Sequence, residues 1–259
     1  MTEPDEPLPL WHVSEDVSLF AGALGRNALH SHAVPVFLAG LYDAFSLRID
    51  GGDWHRCRTA VVPAGLPYEF DMKGAPLAVL YAEPGSAPRG HLHRLLGEPR
   101  AVRGAVVGRT GEVSLLREMF EERRSVAWAA EALADLLGFA AARSAPVDPR
   151  IQHVLAGLRR NHLDFAAAAA AAGAAGLSAS RFQHVFTREV GVPFRRYRGW
   201  CRMRAAIAAV FDEDRLTDVA YAAGYSDQAH FSREFRRIFG APAQGSLMKA
   251  RLRRAAAAA

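Results

Sequence analysis

An internal duplication in the C-terminal part of this 259-residue chain constrains its fold more than any other feature. One copy begins Ala174-Ala175-Gly176-Leu177-Ser178 and continues through Phe182, Phe186, Gly191 and Pro193. The other begins Ala222-Ala223-Gly224-Tyr225-Ser226 and continues through Phe231, Phe235, Gly240 and Pro242. The Phe, Gly and Pro landmarks lie 49 residues apart and the leading glycines 48 apart, so the second copy carries one extra residue after its turn. Two phenylalanines four apart share one face of a helix. Small residues before the glycine let a preceding helix pack closely, and the glycine can take positive φ at a sharp turn. Ser178 and Asp227 stand where a side chain caps the second helix. Together these features predict two helix-turn-helix units, and a tandem pair predicts contact with two successive stretches of duplex DNA.

With the phenylalanines turned to the core, Ser180, Arg181, Gln183, His184 and Arg188 face outward in the first unit. Gln228, Ala229, His230, Arg233, Arg236 and Arg237 do so in the second. Arg and Gln suit guanine and adenine edges. Arg195, Arg196 and Arg198, between the units, suit solvent or phosphate as well as bases, and phosphate contacts position a protein without specifying sequence. A helix over Phe194–Phe211 would span roughly 27 Å at 1.5 Å per residue, commensurate with a duplex turn of ~34 Å. The charge is distributed to match. Residues 150–259 hold 18 Lys+Arg against 8 Asp+Glu, while residues 1–149 hold 14 against 19. Only the second half is expected to meet a polyanion.

Cys57 and Cys201 are the only cysteines, which excludes a disulfide framework or a Cys-based zinc site. The acidic, Pro-rich start is no signal peptide, and no apolar run approaches the ~20 residues of a membrane helix; the alanine tract Ala166 to Ala172 is too short. These features predict a cytoplasmic protein with no membrane partner.

From Leu10 to Pro84 the text is strand-like. Short apolar or alternating runs (34–38, 44–49, 60–63, 77–81) are separated by turn signals such as Asp50-Gly51-Gly52-Asp53, which predicts a sandwich or barrel. Residues 112–142 read as helices with apolar faces at Val113, Leu116 and Phe120 and at Ala129, Leu133, Leu136 and Leu137. Ser144 to Pro149 is a linker, and all that follows is helical, ending in a helix near 244–254.

Residues 150–250 resemble the DNA-binding domain of the AraC/XylS regulators, and the stretch Leu216 to Gly240 fits that family's signature almost end to end. The resemblance implies an α+β chain. It would comprise a cupin-like effector-binding barrel (10–85), a helical linker and dimerisation region (86–143) and a DNA-binding domain (150–254) with helix-turn-helix units at 166–190 and 217–239. It places base reading on Ser180, Arg181, Gln183 and His184 and on Gln228, Ala229, His230 and Arg233, with Arg236 and Arg237 added to the DNA-binding set. It implies double-stranded DNA, a small-molecule effector, a second copy of the chain and RNA polymerase as partners. There are departures. The brace of the first unit is nearly all alanine, which predicts a looser unit, and the Tyr usual after Pro242 is missing.

Gly25 to His32 and Pro63 to Glu69 resemble the two halves of the cupin metal motif. Val36 and Phe37 occupy the region of its acid, and Tyr68 stands in place of its last His. His30 and His32 point to one face of a strand, but two ligands hold a metal poorly. We therefore expect no metal, no cofactor and no catalytic residue. His30, His32, Phe37 and Tyr68 are assigned to an effector pocket, with Phe45, Trp54 and Phe70 as further candidates for its lining. The competing readings are a cupin metalloenzyme with a DNA-binding appendage, and an effector-independent regulator whose barrel only dimerises.

Overall fold

The computed structural model describes residues 8–85, 91–122, 129–141, 147–165, 167–210, 215–243, 246–247 and 250. The expected final helix near 244–254 lies largely outside them. Eleven described strands form two sheets: β1 (Leu10–Val13), β2 (Val17–Ala23), β3 (Arg26–His30), β4 (Val36–Gly40), β5 (Phe45–Ile49), β6 (Trp54–Cys57), β7 (Thr59–Val62), β8 (Tyr68–Asp71), β9 (Pro76–Ala82), β10 (Leu96–Val102) and β11 (Ala105–Gly111). One sheet runs β1-β2-β9-β4-β7-β11-β10 and the other β3-β8-β5-β6. Two of the chain's changes of sheet, between β3 and β4 at Pro35 and between β7 and β8 at Pro63 to Pro67, fall at prolines. Proline offers no N–H to continue a ladder there. The outcome is a two-sheet sandwich, where a barrel was expected.

Strand β4 shows how parity distributes the core. Val36 and Leu38 face the second sheet, whereas Phe37 and Ala39 face the opposite side, as a period of two requires. That opposite side is covered by a 3-10 turn (His91–Leu95), α1 (Ser114–Glu121) and α2 (Ala129–Ala141), which bury Leu92, Leu116, Phe120, Leu133 and Leu137. The apolar faces expected at 112–142 thus pack on the molecule's own sheet. Strands β10 and β11 correct the expectation that residues 86–143 are helical. They form a hairpin that extends the larger sheet through β7, and their mixed polar sequence hid the strand signal.

The remaining described helices are α3 (Pro149–Arg160), α4 (Ala168–Ala174), α5 (Ala179–Val190), α6 (Phe194–Ala209), α7 (Leu216–Ala222) and α8 (Gln228–Phe239). Asp148 caps α3, accepting from the Arg150 N–H at 3.0 Å, with Pro149 in the first turn. One hydrophobic core runs without interruption from the inside of the sandwich into these helices. No helix among the described residues is long and apolar enough to cross a membrane.

Candidate functional site

Both glycine turns form as the sequence predicts. Gly176 has φ +62° and Gly224 φ +76°. Ser178 Oγ accepts from the Arg181 N–H at 3.3 Å, and Asp227 accepts from the His230 N–H at 2.6 Å. That N–H, followed by the Ser226 hydroxyl, holds the Asp227 carboxyl below the ordinary range. Phe182, Phe186, Phe231 and Phe235 are buried. Ser180, Arg181, His184, Gln228, Ala229, Arg233 and Arg236 are exposed, while Gln183 and His230 are half-buried. His230 stands edge-on to Tyr225, with Nδ1 3.1 Å from Ser226 Oγ. Arg237 is exposed but engaged, donating to both oxygens of Glu234 at 2.6 to 3.1 Å.

Between the units, α6 is 16 residues long, or roughly 24 Å at 1.5 Å per residue. Its solvent side borders a cleft of about 810 Å³ with Arg195, Arg198, Arg202 and His162 among the lining. The Arg202 guanidinium lies 4.2 Å from the Tyr225 ring centroid, in the cation–π range. Arg196 behaves differently from its neighbours: it donates to the Ser31 carbonyl at 2.9 Å and also to the Ser31 hydroxyl, tying α6 to the sandwich.

That tie is one of several. Glu83, at the end of β9, is fully buried and accepts from Trp200 Nε1 at 2.7 Å, Tyr197 Oη at 2.8 Å and Arg204 Nη1 at 2.8 Å. All three donors lie on α6. The end of α8 docks on β3: Asn27 Nδ2 donates to the Phe239 carbonyl at 2.6 Å, and the Ala28 N–H donates to the Gly240 carbonyl at 3.0 Å. Gly240 has φ +68°, and a Cβ there would lie 2.5 Å from the Ala28 carbonyl oxygen and 2.7 Å from His30 Nδ1. Sequence reasoning missed Asn27, Glu83 and this role of Gly240. The only signal was an acid directly after the apolar run Leu77 to Ala82.

His30, His32 and Tyr68 are brought together at this seam, with ring centroids 4.4 to 5.8 Å apart. They line a small cavity with Trp11, Phe70, Tyr81, Phe235 and Phe239. Burial lowers His30 to about 4, outweighing the Ala28 carbonyl and Glu69. Burial, with His30 and Arg196 adding to it, takes His32 well below the usual value. Both rings are therefore neutral at pH 7. Phe37 does not join them, because strand parity turns it into the other core. Phe45 is buried in the main core without lining this cavity. Trp54 lies on the outer face of the smaller sheet, 40% exposed, with the guanidinium groups of Arg26 and Arg48 near its ring at 5.3 and 4.9 Å. Among the described residues no group of three or more His, Cys, Asp or Glu is placed to hold a metal. Burial pushes both cysteine thiols up to about 12, so neither supplies a thiolate.

A family model described as a helix-turn-helix domain matches residues 171–245. No curated protein matches the sequence. Among solved structures, a ligand-free variant of ToxT from Vibrio cholerae strain SCE256 superposes with a TM-score of 0.62 at 11% identity, covering 92% of this chain and 99% of that one. Wild-type ToxT of the same strain, bound to an unsaturated fatty acid, gives 0.58 at 10%, covering 93% and 98%. ToxT of strain O395 bound to (E)-4-(8-methylnaphthalen-1-yl)but-3-enoic acid gives 0.58 at 8%, covering 91% and 99%. At these identities the likeness establishes the fold over nearly the full length of both chains. The matched domain, with its two capped and exposed helices, is that of a DNA-binding regulator. The chain is a DNA-binding transcription regulator with a C-terminal helix-turn-helix domain of AraC type.

Proposed function

We propose that this regulator responds to a small-molecule effector held by the sandwich, and that it binds paired half-sites as a homodimer that engages RNA polymerase. Each protomer lays the first turns of α5 and α8 into successive major-groove segments. The observation that carries this reading is the common posture of the two helices. Each ends in a glycine set against the sandwich, and each exposes its N-terminal turn, the end that reaches base edges in such motifs. Arg181, Gln183 and His184 in one unit, and Gln228 and Arg233 in the other, are the base readers, with Ser180, Ala229 and His230 shaping the fit. Arg236, Arg195, Arg198 and Arg202 serve backbone phosphates. Arg237, held by Glu234, braces α8 and only flanks the DNA. His30, His32 and Tyr68 belong to the effector pocket, a role for which the small-molecule complexes of ToxT are a fold-level precedent.

The test is fluorescence anisotropy on a duplex selected from a random library. Arg233→Ala should relax preference at one base pair and weaken binding by about 1–3 kcal/mol. Arg198→Ala should weaken all sequences alike and reduce the salt slope by about one. If Arg233→Ala weakens every sequence equally, that side chain contacts phosphate and the base-reading assignment fails. Sedimentation of a monomer at every concentration would remove the dimer.

A further inference from the structure

The cavity at the seam between sandwich and α8 contains an anomaly. Trp11 Nε1, His32 Nδ1 and Tyr68 Oη are buried without a hydrogen-bond partner, and the three residues line the same space. Isolated unsatisfied groups occur in native proteins, but each calls for an explanation. Three around one space point to an absent partner with oxygen acceptors, since indole N–H only donates and a phenol does both. None of the lining side chains is a Lys, Arg, Asp or Glu. The two histidines are neutral by burial. Arg196, the cation that acts on His32, is engaged by Ser31. A carboxylate in this space would be a buried charge without a counter-ion, which proteins avoid.

The size of the cavity adds a second constraint. Its volume is about 30 Å³, room for one or two waters, whereas pockets for organic ligands run to roughly 300 Å³ or more. A larger molecule must displace a wall. The larger sheet's wall is held by continuous ladders, and the β3–β8 wall by strand pairing with one irregularity between Asn27 and His30. The remaining wall is Phe235 and Phe239 of α8 with Ala241 and Ser246 beyond it, and the C-terminal end of α8 is tied to β3 through Asn27 and Ala28.

We propose that the seam takes an uncharged aromatic or alicyclic molecule bearing a hydroxyl or carbonyl oxygen, hydrogen-bonded by Trp11, Tyr68 and His32, and that it enters as a wedge that lifts the end of α8 from β3. The proposal rests on the effector-responsive reading above and names its ligand class and direction of action. The second recognition helix would then be the element the ligand moves.

Calorimetry on the full chain tests this with two matched probes, 4-propylphenol and 4-propylbenzoate. The phenol should bind at least roughly tenfold more tightly than the benzoate. Tyr68→Phe should weaken the phenol by about five- to tenfold while leaving the ligand-free protein as stable or more so, because it removes an unsatisfied hydroxyl. A purely structural role would show the reverse pattern. The phenol should also accelerate hydrogen exchange at the Ala28 amide, which donates to Gly240. Tighter binding of the benzoate overturns the ligand class and leaves the effector reading standing. Slower Ala28 exchange overturns the wedge. If neither probe binds and Tyr68→Phe only stabilises, the cavity is a water site, and both the ligand class and this location for the effector fail.

Discussion

At the end of α5, Gly191 meets the sandwich by van der Waals contact alone: a Cβ there would sit 3.5 Å from the Cβ of Ala64. At the end of α8, Gly240 occupies the equivalent place in the repeat, yet its carbonyl accepts from β3 and its α-carbon has no room for a side chain. The braces differ less than their sequences. The first buries Ala171, Ala172 and Ala175, the second Val219, Ala220 and Ala223, so the polyalanine brace lacks one buried branched side chain relative to its copy. Two units built from one local pattern thus acquire different duties from what they rest on. The first leans on the sandwich, and the second is bonded to the strand that carries His30.

The largest expected effect comes from removing the tie that serves both units. Glu83→Ala leaves Arg204 buried without its counter-ion and should cost about 3–5 kcal/mol of stability, read as a denaturant midpoint. A change below ~1 kcal/mol would mean that the α6 junction is not held by this carboxylate. Acid should act next, and on the second unit. The folded state depresses His30 from 6.5 to about 4, so its contribution is fully present above pH 6.5 and is lost as pH falls through about 4. The loss amounts to roughly 3 kcal/mol. Thermal unfolding followed from pH 7 to 4 should show it, and a flat profile over that window would refute burial of the neutral ring. Swapping the cap glycines compares the units directly. Gly191→Ala should cost about 1–2 kcal/mol from its φ of +91° alone. Gly240→Ala should cost more, because it also collides with Ala28 and His30; equal losses would erase the difference between the two ends. The smallest contrast lies in the N-caps. Asp227→Ala should cost about 1 kcal/mol and Ser178→Ala somewhat less, in line with capping distances of 2.6 and 3.3 Å.

The helical half was legible because its signals are short-range. Helix α8 begins at Gln228 and ends at Phe239 as its Asp cap and terminal glycine require, and the outward set of arginines follows from two buried phenylalanines. The sandwich was legible as strands and turns but not as a closed or open sheet, and the polar β10–β11 hairpin was missed. Phe37 was misassigned to the pocket because a continuous apolar strand such as Val36 to Gly40 does not reveal which parity faces which layer. Arg196 could not be told from Arg195 and Arg198, since only the sandwich opposite decides that one of three adjacent charges is sequestered.

What the chain's own text determines is the repeat and the charge of its second half, which are read directly from the residues, and the caps and turns, which depend on residues within a helical turn or two of one another. What only the tertiary structure decides is the wiring. Glu83 meets Tyr197 across 114 residues and Asn27 meets Phe239 across 212. Such pairings depend on the register of sheets and the docking of whole layers. They make two nearly identical helix ends unequal, and they place the unsatisfied seam beneath the second one.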